Sequence, residues 1–273
     1  MALAAGRGNG RQAGRRRFDA VLFDNGETLF YRSDPVVSLI ELARARGLEL
    51  SEERARRAWA KIPQKNASGL ANRVRRNASR EAHRSYYVRQ YRPLEEIAPG
   101  MPELFYVHHK TSVQTMLPYP DVQPILDALQ CGGIRVAIVS NTGWDISEGY
   151  AQAGLRHLID AWVLSWQHGS AKPDPKLFLH ACERLGVPPR RVLMVGNDAE
   201  ADGGAAAVGA TTLILPVVLP GDPRGLDAVL DLVGIQRPEG NGRDEHGHDA
   251  HGEPVAPLTA RSVGISARRR TLI

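Results

Sequence analysis

The sequence predicts an α/β fold, a Rossmann-like parallel sheet core with an inserted α-helical domain, and three observations lead there. Short apolar runs alternate with amphipathic stretches between residues 135 and 215. Three apolar runs end in polar loops, at Asp24, Ser140 and Asp198, and 115 residues separate the first two. Alternating strand and helix patterns signal a parallel sheet covered on both faces, and ligands bind such sheets beyond the carboxyl ends of the strands. An interval of 115 residues is too long for one crossover, so a structure of its own must fill it.

In chain order, the first run is Phe18-Asp19-Ala20-Val21-Leu22-Phe23, a buried strand that delivers Asp24 into Asn25-Gly26-Glu27-Thr28-Leu29. The insertion opens with Ser33-Asp34-Pro35, a helix start, after which Val36, Leu39, Ile40 and Ala43 repeat on one face. Ser51-Glu52-Glu53 opens a second helix, and 71–92 and 102–116 read as two more. The helical subdomain is therefore placed at 32–116 and the α/β core at 18–31 and 117–235. Hinges are expected near 31–33 and 117–120. The core continues as strand 135–139, helix 145–153, strand 161–165, helix 175–185, strand 192–195, helix 200–208 and strand 211–215.

The net charge of +5 belongs to the ends of the chain. Residues 1–17 carry five Arg and no acid, and residues 237–273 carry six Arg against five acids. Both tails, 1–17 and 236–273, lack hydrophobic periodicity and are expected to be disordered. His246, His248 and His251 and the terminal Arg268-Arg269-Arg270 read as solvated polar tail, so no nucleic-acid partner is expected. No stretch reaches the roughly 20 apolar residues of a membrane span, no signal-peptide pattern precedes Phe18, and two Cys do not make a disulfide framework. A cytoplasmic location is expected. Residues 32–115 hold sixteen Lys or Arg against nine acids, which leaves the core acidic. Most of those arginines, Arg54, Arg56, Arg57, Arg73, Arg75, Arg76, Arg80, Arg84 and Arg89, read as solvated helix faces, with one or two turned toward the cleft to hold an anion.

Four segments carry the chemistry: Asp24 with its loop, Ser140-Asn141-Thr142 after Val136-Ala137-Ile138-Val139, the turn Ser170-Ala171-Lys172-Pro173-Asp174-Pro175 leading to Phe178, and Gly196-Asn197-Asp198 after Val192-Leu193-Met194-Val195. In this order they resemble the four motifs of the haloacid dehalogenase-like (HAD) hydrolase superfamily, in the subfamily with an α-helical cap after the first motif. The resemblance spans about 18–234. It implies the HAD fold and a Mg²⁺-dependent phosphatase acting on a small phosphorylated metabolite. Asp24 would attack phosphorus to give an aspartyl-phosphate. Mg²⁺ would be held by Asp24, the Gly26 carbonyl and Asp198, with Asn197 and Asp202 behind them. Ser140, Asn141 and Lys172 would bind the phosphoryl group, and Lys172 would also hold the converging carboxylates together.

Two departures from the family pattern bear on activity. The second catalytic Asp, two residues after the nucleophile, is Gly26 here, and general acid–base help is worth about 10² to 10⁴ in rate. Glu27 follows it, but alternation along extended backbone aims that side chain elsewhere. Asn197 stands where many members have an acid. Two alternatives follow: a metal-independent 2-haloacid dehalogenase-type hydrolase, disfavoured because Lys172 alone compensates only part of the charge on Asp24, Asp198 and Asp202, and a catalytically weak relative that binds a phospho-ligand or partner. Trp144 either lines the pocket or packs in the core, and Trp59, Tyr86, Tyr87 and Tyr91 either shape specificity or pack the cap helices together.

Overall fold

Strand β1 (Ala20–Phe23) is four apolar residues, all fully buried. At roughly 1.5–3 kcal/mol for each large side chain, its burial fixes the centre of the molecule. The computed structural model describes residues 16–63, 69–216 and 218–237. The three tail histidines, Arg268-Arg269-Arg270 and nearly all of both tails lie outside the described residues. The edges of the tails are described: Arg16 donates to the Gly132 carbonyl, and Arg237 pairs with Asp227 and Asp231.

After β1 come β2 (Phe30–Arg32), α1 (Pro35–Ala45), α2 (Glu52–Ala60), α3 (Leu70–Asn77), α4 (Arg80–Gln90), α5 (Met101–Phe105) and β3 (Met116–Pro118). Then follow α6 (Val122–Cys131), β4 (Arg135–Ser140), α7 (Ser147–Gln152), β5 (Ala161–Leu164), α8 (Ser165–His168), α9 (Pro175–Leu185), β6 (Val192–Gly196), β7 (Thr211–Ile214) and α10 (Asp227–Val233). Five strands form a parallel sheet in the order β5-β4-β1-β6-β7, so β1 lies at the centre between β4 and β6. Side chains alternate across it. Val21, Phe23, Val136 and Ile138 pack with α6 and α10 on one face, and Ala20, Leu22, Ala137 and Val139 pack with α9 on the other.

The helical segment has a core of its own, built from Val36, Leu39, Ala43, Tyr87, Tyr91, Leu94, Met101, Phe105 and Tyr106. Asp34 caps α1 by accepting from the Val36 amide, and Pro35 begins the helix. Ser51 caps α2 in the same way through the Arg54 amide. The segment leaves and re-enters the core through β2 and β3, which pair antiparallel with Tyr31 opposite Leu117. The two expected hinges thus form one two-stranded ribbon.

Several elements differ from the pattern reading. The helix expected over 71–92 is two, because Ser79 adopts extended backbone and its hydroxyl caps α4 at Ala82. The helix expected over 102–116 stops early: α5 widens into a π turn at Tyr106–Thr111, and Ser112 turns extended and caps a short 3₁₀ turn at Val113–Thr115. The helix expected over 145–153 begins late because the Asp145 carboxylate takes the Ser147 amide. The helix expected over 200–208 is a 3₁₀ helix, Asp202–Val208, that includes two glycines. A Cβ at Gly204 would stand 2.6 Å from the Pro173 carbonyl oxygen, so close approach to the lysine turn requires glycine there. Among the described residues, no helix is long and apolar enough to cross a membrane.

The helical segment rests on the sheet's carboxyl edge through small contacts. The Ser165 hydroxyl donates to the Asn77 carbonyl at 2.6 Å, and Gly143 lies against His83. A methyl at Gly143 would stand 2.3 Å from the His83 Cβ, which the α4 backbone holds in place. Gly143→Ala is therefore expected to cost about 1–3 kcal/mol of stability, read as a lower urea midpoint at unchanged m-value.

Candidate active site

The end of β1 presents Asp24 beside the ends of β4 and β6, as the topology requires. Its amide is held by the Val195 carbonyl at 2.9 Å. One carboxylate oxygen accepts from the Lys172 ammonium at 2.7 Å, and the same ammonium donates to Asp202 at 2.6 Å. Lys172 is 2% exposed and Asp202 fully buried, while the Asp24 side chain keeps 14% exposure toward the cleft, so this Asp–Lys–Asp bridge opens to solvent only at its Asp24 end. The other Asp202 oxygen accepts the amides of Asn197 and Asp198 at 3.0 and 2.9 Å. Asp202 is thereby a strap that ties the lysine to the loop after β6. Gly196 makes room for it: a Cβ there would stand 2.0 Å from an Asp202 carboxylate oxygen.

Asn141 has a place beyond the one expected. Its side-chain amide brackets the lysine backbone, accepting from the Lys172 amide at 2.7 Å and donating to the Lys172 carbonyl at 2.9 Å. Its side chain thus holds Lys172 in place and keeps one amide N–H besides. Ser140, at the end of β4, is 4% exposed and lines the cleft. Asn197 also spends its amide on the nucleophile loop: Thr28 donates to its oxygen at 3.3 Å, and its nitrogen reaches Glu27 at 3.5 Å.

Two expectations about charge require correction. Glu27 does not point away from the site but lines the cleft. Its φ of 60° is left-handed, which breaks the alternation that extended backbone imposes. Asp198, in turn, already has a cation. Its outer oxygen accepts from the Arg73 guanidinium at 2.6 Å, and the other accepts the Glu200 and Ala201 amides at 3.0 and 3.1 Å. Arg73 also pairs with Glu200. Lys172 and Arg73 together thus compensate the acidic cluster, where the sequence offered Lys172 alone.

Of the arginines read as solvated faces, Arg54, Arg56, Arg57 and Arg84 are exposed, whereas Arg73 and Arg76 enter the cleft. Sequence reasoning also missed His83, which is 2% exposed and shares a hydrogen bond with the Tyr106 hydroxyl. Nothing in the one-dimensional pattern marks it. Trp144 lines the cleft and packs on His83, while the Arg32 guanidinium lies 5.1 Å from its ring centroid. Trp59 packs against Tyr91 and Phe105 inside the helical segment.

Electrostatics follow from the geometry. Burial raises the Asp24 carboxyl to about 6; Lys172 pulls it down, and Asp202 pushes it up again. Burial acts to lower Lys172, but Asp202 and Asp24 outweigh it, so the ammonium is held above its ordinary value. Burial acts to raise Asp198, but the Ala201 amide, Arg73 and the Glu200 amide hold it below the usual carboxylate range. The cleft encloses about 850 Å³ between the sheet edge and the helical segment. It can hold an anion of several atoms against Lys172 with Asp24 beside it.

Residues 18–209 match the family of haloacid dehalogenase-like hydrolases. Two curated relatives resemble part of the chain. The glyceraldehyde 3-phosphate phosphatase of Methanopyrus kandleri is 34% identical over 108 residues, 39% of this chain and 46% of that protein. The (S)-2-haloacid dehalogenase 1 of a Pseudomonas species is 36% identical over 96 residues, 35% of this chain and 42% of that protein. The chain thus spans less than half the length of these two relatives. A crystal structure of a HAD phosphatase from Thermococcus onnurineus superposes with a TM-score of 0.53 at 23% identity, covering 81% of this chain and all of that one, which shows the fold.

The bridge generates two expectations. Lys172→Met leaves two buried carboxylates without their partner and should cost about 3–5 kcal/mol at neutral pH, measured by urea unfolding. Because the folded carboxyl of Asp24 lies above its ordinary 3.8, the folded chain binds that proton more tightly than the unfolded chain does. Its contribution to stability falls as pH rises from 3.8 to about 6. In metal-free buffer at pH 7, Asp24→Asn should therefore stabilise the chain by about 1–3 kcal/mol, with the gain vanishing near pH 4. Equal stability of the two proteins at pH 7 would contradict this account of the buried carboxylate.

Proposed function

Because the chain belongs to the haloacid dehalogenase-like hydrolases, we propose that its cleft hydrolyses a small phosphate monoester with the help of Mg²⁺, by way of an aspartyl-phosphate on Asp24. The observation that carries this reading is the set of oxygen donors at the floor of the cleft: Asp24, held by the Lys172 ammonium, lines about 850 Å³ together with Gly26 and Asp198, a set suited to a divalent cation, for which displacement of a halide has no use. A phosphate ester arrives as a dianion and spreads further charge over its equatorial oxygens during transfer.

The residues present fit a hard cation. Asp24, the Gly26 carbonyl and Asp198 are oxygen donors of the kind Mg²⁺ takes, and all three residues line the cleft. These are the groups that would hold it, while Arg73 keeps Glu200 as a second partner. When bound, the ion supplies neutralisation of the phosphoryl oxygens and of the attacking carboxylate. Lys172 holds one Asp24 oxygen and aims the carboxylate, and Asn141 and Asp202 fix Lys172. An Asp24 oxygen forms the new bond to phosphorus as the bond to the leaving oxygen breaks. Gly26 has no side chain to donate a proton, so the leaving oxygen departs as its anion or takes a proton from water or from Glu27 on the cleft wall. Water then attacks the phosphoryl group, which leaves as inorganic phosphate and restores the carboxylate. Ser140, which lines the cleft, would donate to a phosphoryl oxygen. The helical segment acts as a cap that excludes bulk water, with the β2–β3 ribbon as its hinge.

The missing acid gives this site a preference for leaving groups that depart unprotonated, such as phenolates. A Cβ at Gly26 would meet nothing within 4 Å, so the backbone there has room for a side chain to begin. Gly26→Asp is expected to raise turnover of alkyl phosphates by about 10² or more, with a smaller change for aryl phosphates. Asp24→Asn should abolish turnover of both, and persistence of Mg²⁺-dependent release in that variant would sink the mechanism.

One observation favours a second reading. Because Arg73 already neutralises Asp198, the acidic cluster can stand without a metal, as a C–halogen hydrolase of the 2-haloacid dehalogenase type requires. Release of chloride from 2-chloropropionate in chelator, with no phosphate released from any ester in Mg²⁺, is the outcome that would put this reading first.

A further inference from the structure

Arg76 has no part in the chemistry described above, yet its placement is costly. It projects from α3, is 7% exposed, and its Nε and Nη1 have no hydrogen-bond partner. A buried donor left unmade costs about 1–3 kcal/mol, and more when charged. The rings of Tyr86 and Tyr87, 4.8 and 5.5 Å from its guanidinium, recover only part of that. A planar, two-pronged cation at a cleft wall, with Nε and Nη1 covered by protein and unpartnered, is an oxyanion receptor once its side chain turns them to the cleft.

Its surroundings add positive charge. Arg76, Arg32 and Lys110 line the main cleft and also a second cavity of about 470 Å³, walled by Trp59, Tyr86 and Tyr91; Glu27 is the one acid that lines both, so three cations face one carboxylate among the described residues that line the second cavity. Arg32 spends its donors on uncharged acceptors, the Ser112 and Lys110 carbonyls and the Thr115 hydroxyl. Among the described residues no Asp or Glu forms an ion pair with Arg32 or Arg76. His83 registers the excess: burial first, then Lys110, Arg76 and Arg32, push it down to about 2, so it stays neutral. Arg73, by contrast, is engaged by Asp198 and Glu200.

We propose that Arg76, with Arg32 and Lys110 beside it, binds a second anionic group of the substrate, a carboxylate or a second phosphate, carried on the leaving group away from the ester at Asp24. This rests on the phosphate reading for the first anion, and it narrows the substrate class to phosphate esters with a distal anion.

The test uses the full chain in Mg²⁺ and calorimetric titration with non-hydrolysable alkyl phosphonates of increasing length, ending in a hydroxyl, a carboxylate or a second phosphonate. At one length an anionic end should bind about tenfold tighter than the hydroxyl; which anion gains more distinguishes carboxylate from phosphate. Arg76→Gln should remove that preference and leave the hydroxyl series unchanged, and Arg76→Lys, which keeps the charge and the packing between the tyrosines, should retain part of it. A preference that survives Arg76→Gln, or no preference at any length in the wild type, overturns the proposal. If the hydroxyl phosphonates and inorganic phosphate do not bind at all while plain alkyl dicarboxylates bind in an Arg76-dependent way, the phosphate reading fails and the subsite stands.

Discussion

One buried ammonium organises this molecule. Lys172 lies between Asp24 and Asp202, and each of the three is intelligible only with the other two. Two carboxylates cannot be withdrawn from water together without a cation, and a lysine cannot be buried without an anion. The sheet brings them together because β1 and β6 are neighbours and both end at the same edge. The turn that carries the lysine is then locked by Asn141 from β4, and the strap on Asp202 is locked by the amides after β6. Three motifs thus meet on one residue, which holds the carboxyl edge of the sheet rigid around it.

Over this acidic floor lies a cationic roof. Arg73 reaches down to the floor and pairs with Asp198, whereas Arg76 and Arg32 remain without acidic partners on the roof itself. The floor holds its charge in balance around Lys172 and Arg73, and the roof carries guanidinium groups with no acidic partner among the described residues. Aromatic side chains sustain that positive charge, since Tyr86 and Tyr87 of the helical segment and Trp144 of the core lie under guanidinium groups drawn out of water.

The nucleophile loop shows how one backbone conformation can alter chemistry. Where the family pattern has an acid, this chain has Gly26, and the acidic side chain comes one residue later on left-handed backbone. Alternation of extended backbone would have turned Glu27 away. The positive φ brings it to the cleft wall beside Asn197 instead. No sequence pattern states a φ, so this reversal was not legible.

The sequence by itself determined the parallel core, the four motif loops at its edge and the helical insertion, because these rest on hydrophobic periodicity and on local turn chemistry. Asp34 and Ser51 as helix caps, and Asp24, Ser140 and Asp198 as cleft residues, follow from that local logic, and the resemblance to the family adds Lys172. Only the tertiary structure decided which arginine meets which acid, that Asn141 and Asn197 spend their amides on neighbouring loops, and that Arg76 is buried without an acid to answer it. Those pairings join residues as far apart as Arg73 and Asp198, and a helix that presents arginine to water reads the same in one dimension as a helix that presents it to a cleft.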